Sequence, residues 1–114
     1  MTVVLLALAF AYPPNMTDDV GYVPCDRQCR RERRWRRVVR PHRGHLNSIA
    51  ACESGGRWHI STGNGYYGGL QFSIRSWRWV GGRGFPHHAS KLEQKYRAVL
   101  LSRRGGWGHW PVCG

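Results

Sequence analysis

The 114-residue chain has few acidic side chains and no long apolar segment. Six Asp and Glu stand against 18 Lys and Arg, which gives a net charge of +12. This charge favours an anionic partner, such as nucleic acid, a membrane surface or an acidic cell-wall polymer, without choosing among them. No apolar run reaches the roughly 18 residues that a membrane-spanning helix needs, and no internal repeat indicates a repeat fold. The length fits one small domain, alone or with an extension.

Composition divides the chain into three segments. Residues 1–24 have no Lys or Arg and a charge of −2, whereas residues 25–44 hold nine arginines and a charge of +7. Fourteen of the 15 glycines and five of the six tryptophans lie from Gly44 onward. We therefore predict an apolar and acidic tail over residues 1–24, an Arg-rich extension or linker over 25–44, and a folded domain over 45–114.

The first residues resemble the core of an export signal. Residues 2–12 are almost entirely apolar, and Ala9-Phe10-Ala11 fits a signal-peptide cleavage pattern. No Lys or Arg precedes this stretch, and cleavage after Ala11 would remove fewer residues than a usual signal contains. The stretch is either a working export signal or, alternatively, a mis-assigned start codon or a short apolar tail.

The Arg-rich segment allows two conformations. Trp35, Val38 and Val39 fall at positions i, i+3 and i+4, which is typical of a short amphipathic helix ending before Pro41. Such a helix could anchor the chain on an anionic surface. The alternative, which we favour, is a solvated and self-repelling linker. Loose electrostatic binding of anions is expected in either case.

Two cysteines and two histidines come close to a zinc-finger spacing. Cys25-x3-Cys29 is followed by His42-x2-His45, and a basic zinc finger would bind nucleic acid. The histidines are closer together than zinc fingers usually place them, and Pro41 interrupts the helix that would present them. We expect no metal site, and either a Cys25–Cys29 disulfide or two free thiols. A zinc-stabilised nucleic-acid-binding protein stays as the alternative class.

The first helix of the predicted domain places an acid on its apolar stripe. Leu46, Ile49, Ala50 and Glu53 lie at i, i+3, i+4 and i+7, before a glycine pair that ends the helix. An apolar neighbourhood and the negative end of the helix dipole both favour the protonated carboxyl group. A proton donor near neutral pH needs this property. The alternative is a solvated Glu at a frayed helix end.

Carboxylates are too scarce for several common mechanisms. Residues 45–114 contain no Asp and two Glu, Glu53 and Glu93. A second helix is predicted after the N-cap Ser73, and a third after Ser90, which forms a capping box with Glu93. If Glu93 has this structural role, only Glu53 is available for chemistry. A two-carboxylate glycosidase and a Ser-His-Asp hydrolase are therefore disfavoured, and single-acid chemistry or no chemistry is left.

A glycine-rich segment, residues 57–72, separates the first two helices. The turn signal Gly63-Asn64-Gly65 predicts a small hairpin or an irregular loop. Aromatic faces beside amides and hydroxyls suit sugar rings, and glycines let a ligand approach the backbone. The groove candidates are Tyr66, Tyr67 and Gln71, and the core candidates are Trp58, Phe72 and Trp77.

Residues 49–82, IAACESGGRWHISTGNGYYGGLQFSIRSWRWVGG, closely resemble the catalytic domain of resuscitation-promoting factors. Residues 110–114, WPVCG, resemble the end of that domain, so the resemblance covers roughly residues 45–114. It implies a small lysozyme-like α+β domain that is mostly helical, with a short hairpin or glycine-rich loop. It also implies cleavage of peptidoglycan glycan strands in actinobacterial walls, by a lytic transglycosylase or a glycoside hydrolase without a cofactor.

The resemblance implies roles for individual residues. The catalytic glutamate of the family falls on Glu53, and its disulfide falls on Cys52 and Cys113. Ser73 and Ser76 stand where relatives often carry other polar residues. The residues implied for glycan binding are Asn64, Tyr66, Tyr67, Gly69, Gln71, Ser73 and Ser76.

Partners and setting are expectations of the same kind. We expect peptidoglycan as the substrate, anionic wall polymers on the Arg-rich segment, no specific nucleic acid and a monomer. The protein would be secreted and act on the cell wall in growth or resuscitation, or serve a phage at entry or lysis. A relative that binds glycan without cutting it is a further alternative.

Overall fold

The computed structural model describes residues 23–114, and the signal-like segment lies outside them. The chain divides into two units, Met1–Arg30 and Arg31–Gly114. Within residues 23–114, no helix is long and apolar enough to cross a membrane.

A disulfide-closed turn starts the first helix, α1, which spans Arg27–Val39. Cys25 and Cys29 are joined by a disulfide. The Asp26 carboxylate accepts a hydrogen bond from the Cys29 backbone N–H at 2.9 Å, as an N-cap residue does. The disulfide confirms one of the two alternatives for this cysteine pair. It also removes both sulfurs from the set of ligands that a zinc finger would need.

The Arg-rich segment is helical through Val39, so the solvated-linker interpretation is wrong. Trp35 and Val39 are buried, with 6% and 4% of their surface exposed. The Trp35 ring stacks on Tyr96 at 5.3 Å between centroids, and the guanidinium of Arg97 lies 5.7 Å from its centre. Burying an aromatic ring outweighs the repulsion among arginines that stay solvated on the outer face. The domain boundaries at residues 24 and 44 remain predictions.

Three further α-helices build the rest of the unit. A 3-10 turn over Arg40–His42 leads into α2, Arg43–Ser54, on which Leu46, Ile49 and Ala50 are buried. The predicted glycine pair ends α2, with Gly55 and its neighbour at positive φ. The remaining elements are α3 (Ile74–Trp79), α4 (Lys91–Ser102) and 3-10 turns at Pro86–His88 and Gly106–His109.

The predicted caps are present, with one difference. Ser73 accepts a hydrogen bond from the Ser76 N–H at 3.1 Å and starts α3. Ser90 accepts one from the Glu93 N–H at 3.0 Å and starts α4. The Glu93 carboxylate pairs with Arg97 at 3.1 Å instead of returning to the cap residue. Glu93 therefore has a structural role, as predicted, through an i, i+4 ion pair.

The glycine-rich segment is an irregular loop with two isolated β-bridges, Ser61 with Tyr67 and Tyr67 with Phe72. Fully buried Gln94 on α4 holds this loop. Its side-chain oxygen accepts from the Gly69 N–H at 2.9 Å, and its amide group donates to the Trp58 carbonyl at 2.9 Å. The result confirms the predicted mostly helical, lysozyme-like domain with a glycine-rich loop.

Candidate active site

Glu53 lies in the last turn of α2 and lines an open cleft of about 460 Å³. The side chain is partly buried, so it is not the fully solvated Glu at a frayed helix end that the sequence also allowed. The cleft is lined by Glu53, Asn64, Tyr66, Gln71, His109, Trp110, Pro111, Val112 and Cys113.

The surroundings of Glu53 favour its neutral form. Burial raises the pKa of the Glu53 carboxyl above its ordinary value of 4.5. Within residues 23–114, Arg97–Glu93 is the only ion pair with a nitrogen–oxygen distance of 4.0 Å or less. No cation in this range therefore pairs with Glu53. The carbonyl end of α2 adds a negative potential that acts in the same direction. This carboxyl group is therefore suited to donate a proton.

A disulfide brings the 109–113 turn to α2, the helix that carries Glu53. Cys52 and Cys113 are joined, with 5.8 Å between their Cα atoms. Trp110 is buried, and its indole N–H donates to the Leu70 carbonyl at 2.8 Å. Together these contacts place the 109–113 turn as one wall of the cleft beside Glu53.

The opposite wall comes from the glycine-rich loop. Gln71 is the one non-glycine residue between 23 and 114 with a positive φ, 55°, and its side-chain amide donates to the Gly68 carbonyl at 2.9 Å. Asn64 accepts from the Tyr66 N–H at 3.0 Å, which leaves its NH₂ group free for a ligand. The Tyr66 side chain is half exposed. Amides, a phenol and an aromatic face thus lie near one acid, as binding of a sugar ring requires.

Two further cavities lie along the start of α3. One of them, about 380 Å³, is lined by Ser76, Arg75 and Trp79. Three of the seven residues predicted for glycan binding therefore line the cleft with Glu53: Asn64, Tyr66 and Gln71. Ser73 and Ser76 line the adjoining cavity, which shares Tyr66 and Gln71 with that cleft.

The structure does not bring Tyr67 and Gly69 to this cleft. The Tyr67 ring stacks on His87 at 5.4 Å. Gly69 is buried, its carbonyl accepts from Ser54 at 2.9 Å, and a side chain there would collide with Trp58. Tyr66 lines the cleft, and Tyr67 does not. Both off-cleft residues instead hold the loop in place.

The sequence did not predict the cleft wall formed by residues 109–112 or the cavity lined by Trp79. The His109 Nε2–H donates a hydrogen bond to the Arg104 carbonyl at 2.9 Å, and the His109 ring lies 6.3 Å from the Trp79 ring. The signal that could have found this wall is the Cys52–Cys113 bridge itself. A cysteine bonded next to Glu53 must carry its preceding residues to the same place.

The fold and the cleft define a small lysozyme-like domain whose described residues place one acid, Glu53, in the cleft without a cation partner. Residues 41–113 match the Transglycosylase-like domain family, and the chain belongs to this family. The chain is 58% identical over 65 residues to Resuscitation-promoting factor Rpf of Micrococcus luteus, which covers 57% of this chain and 29% of the relative.

Two more relatives support the resemblance that the motifs indicated. Resuscitation-promoting factor RpfE of Mycobacterium tuberculosis is 53% identical over 68 residues, which cover 60% of this chain and 40% of the relative. Rpf1 of Corynebacterium glutamicum is 46% identical over 68 residues, 57% of this chain and 35% of the relative. The chain thus spans less than half the length of each of these relatives.

Proposed function

We propose that this protein cleaves the glycan strands of peptidoglycan with Glu53 as the general acid. The observation that carries the proposal is an acid without a cation partner in the described chain, in a cleft lined by amide, hydroxyl and aromatic groups. The family and the names of the relatives support a role in growth or resuscitation.

The chemistry starts with protonated Glu53. It donates its proton to the glycosidic oxygen between N-acetylmuramic acid and N-acetylglucosamine. The bond to the anomeric carbon breaks, its electron pair goes to the leaving oxygen, and positive charge develops on the sugar. The other Glu of residues 45–114, Glu93, is paired with Arg97 and does not line the cleft. The trap for the charged carbon must therefore come from the substrate or from water.

Two outcomes follow from these traps. Attack by the sugar's own 6-hydroxyl, directly or after help from the acetamido group, gives a 1,6-anhydro end, whereas attack by water gives a reducing end. In both cases the O–H bond of the attacking group breaks, and its proton returns to the Glu53 carboxylate. Mass spectrometry of fragments released from purified peptidoglycan separates a transglycosylase from a hydrolase. Retention on peptidoglycan with no released fragment would instead indicate a binder that does not cut.

The setting is part of the proposal. Two disulfides, Cys25–Cys29 and Cys52–Cys113, suit an oxidising compartment outside the cytoplasm. We propose a secreted monomer that acts on the cell wall, and a phage protein that opens the wall is the second setting. In both, the Arg-rich segment contacts anionic wall polymers, because most of its arginines are exposed on α1.

Retention on the wall should weaken as salt rises. Screening shortens the reach of surface charges from about 10 Å at 0.1 M salt to about 3 Å at 1 M. We expect the fraction of protein that sediments with purified sacculi to fall steeply over this range of sodium chloride. Sucrose at matched osmolarity is the control and should leave retention unchanged. Retention that does not respond to salt would contradict a role for the arginines.

A further inference from the structure

A second cavity, about 390 Å³, lies within the Arg31–Gly114 unit and shares no lining residue with the catalytic cleft. Five cations and two aliphatic side chains line it, and none of the acids between residues 23 and 114 does. They come from the end of α1, the 3-10 turn, and the first turns of α2 and α4. The lining residues are Arg36, Val39, Arg40, Arg43, Lys91, Leu92 and Lys95.

Lys95 is the buried cation of this set, with 7% of its surface exposed. Its ammonium group lies 5.5 Å from the Trp58 ring centre, and that of Lys91 lies 5.3 Å from the same ring. Among residues 23–114, no carboxylate lies within 4.0 Å of Lys95. Burial, then the nearby charges of Lys91 and Arg43, lower the pKa of Lys95. A buried charge without an anion is costly, and a bound anion would offset this cost.

We propose that this cavity binds a phosphate ester group. Three guanidinium groups can present paired N–H donors to phosphate oxygens, and two ammonium groups add point charges. Val39 and Leu92 offer apolar surface to the carbon skeleton that carries the phosphate. Because the cations converge on one cavity, they suit a single phosphate better than the repeating backbone of a nucleic-acid duplex.

We assign the phosphate group to a phosphodiester-linked polymer of the cell wall, and this assignment rests on the proposed function. The site itself does not depend on catalysis. Three lining residues, Arg36, Val39 and Arg40, precede residue 41, where the family match begins. The Arg-rich segment thus contributes directly to a defined site, in addition to its diffuse charge.

Titration of the full chain with inorganic phosphate at constant ionic strength tests the site by calorimetry. We expect saturable binding of one phosphate, weakened about tenfold by Lys95→Met or by Arg40→Gln, because each removes a charge-assisted contact. Arg37→Gln is the matched control, since Arg37 is exposed on α1 and does not line the cavity. An equal loss in the Arg37 variant, or binding that does not saturate, would overturn the proposal.

Competition identifies the source. A soluble poly(glycerol phosphate) should displace inorganic phosphate from the wild type and should bind the Lys95→Met variant more weakly. If vesicles of anionic phospholipid displace phosphate and the polymer does not, the phosphate site stands, but its ligand is a lipid headgroup and the assignment to the wall is overturned. Displacement by a short DNA duplex alone would overturn the assignment to the wall.

Folding is checked separately. Lys95→Met removes an unpaired buried charge, so its thermal unfolding midpoint in phosphate-free buffer should not fall. Exposed Arg40 provides the second variant if Lys95→Met does not fold. Because phosphate binding is measured without peptidoglycan, its failure and the failure of glycan cleavage are distinguishable.

Discussion

The Glu53→Gln variant is expected to cleave peptidoglycan about 100-fold to 10,000-fold more slowly than the wild type. This range is typical for loss of a general acid, and Gln keeps the shape of the side chain without its transferable proton. Among residues 23–114, Glu53 is the one carboxyl group that lines the cleft, so no other acid of this range is placed to substitute. The measurement is the rate at which soluble fragments are released from purified sacculi.

Glu93→Gln is the matched control, since Glu93 is the other Glu of the 45–114 segment. It breaks a partly exposed ion pair with Arg97, which contributes at most about 1 kcal/mol to stability, and should leave cleavage intact. Glu53→Gln should fold as well as the wild type, because it removes a desolvated acid. A Glu53→Gln enzyme with wild-type activity would refute the assignment of the acid.

Replacing both Cys52 and Cys113 by Ala should lower the free energy of unfolding by about 4 kcal/mol, the loop-closure value for two cysteines 61 residues apart. The same change releases the turn that carries Trp110 and the rest of the cleft wall beside Glu53. We therefore expect cleavage to fall together with stability. Urea unfolding gives the first quantity and fragment release gives the second.

The Cys25–Cys29 pair provides the comparison. Its cysteines are four residues apart, so the same relation gives a smaller loss, about 2 kcal/mol. Neither residue lines the cleft, and cleavage should be unchanged when both become Ala. Equal effects of the two double variants on cleavage would show that the Cys52–Cys113 bridge does not position the active site.

Much of the helical framework and the acid could be predicted because their signals are local. The i, i+3, i+4, i+7 pattern of α2 placed Glu53 on the inner edge of its helix, and the structure has it lining the cleft. Ser73 and Ser90 are N-caps, as their side chains and spacing indicated. Each of these features depends on residues within two turns of one another.

What was missed depends on contacts distant in sequence. The charge of the Arg-rich segment indicates a linker, whereas its helix is held by packing of Trp35 on Tyr96, 61 positions later. The exclusion of Gly69 from the cleft depends on Gln94 and Trp58, which tie it into the interior. The Cys52–Cys113 disulfide places residues 109–112 beside Glu53, and the spacing of four cysteines does not by itself say which of them are bonded. None of these partners is visible in a local pattern.

Titration of the Glu53 carboxyl carbon by NMR tests the central claim most directly. A raised pKa means that the folded protein binds this proton more tightly than the unfolded chain does. The resulting stabilisation is fully present below pH 4.5 and is lost as pH rises through the folded-state pKa. We predict a midpoint above 4.5, with cleavage declining over the same pH range as the acid loses its proton. A midpoint at or below 4.5 would contradict the account, because Glu53 would then be ionised wherever the enzyme has to donate a proton.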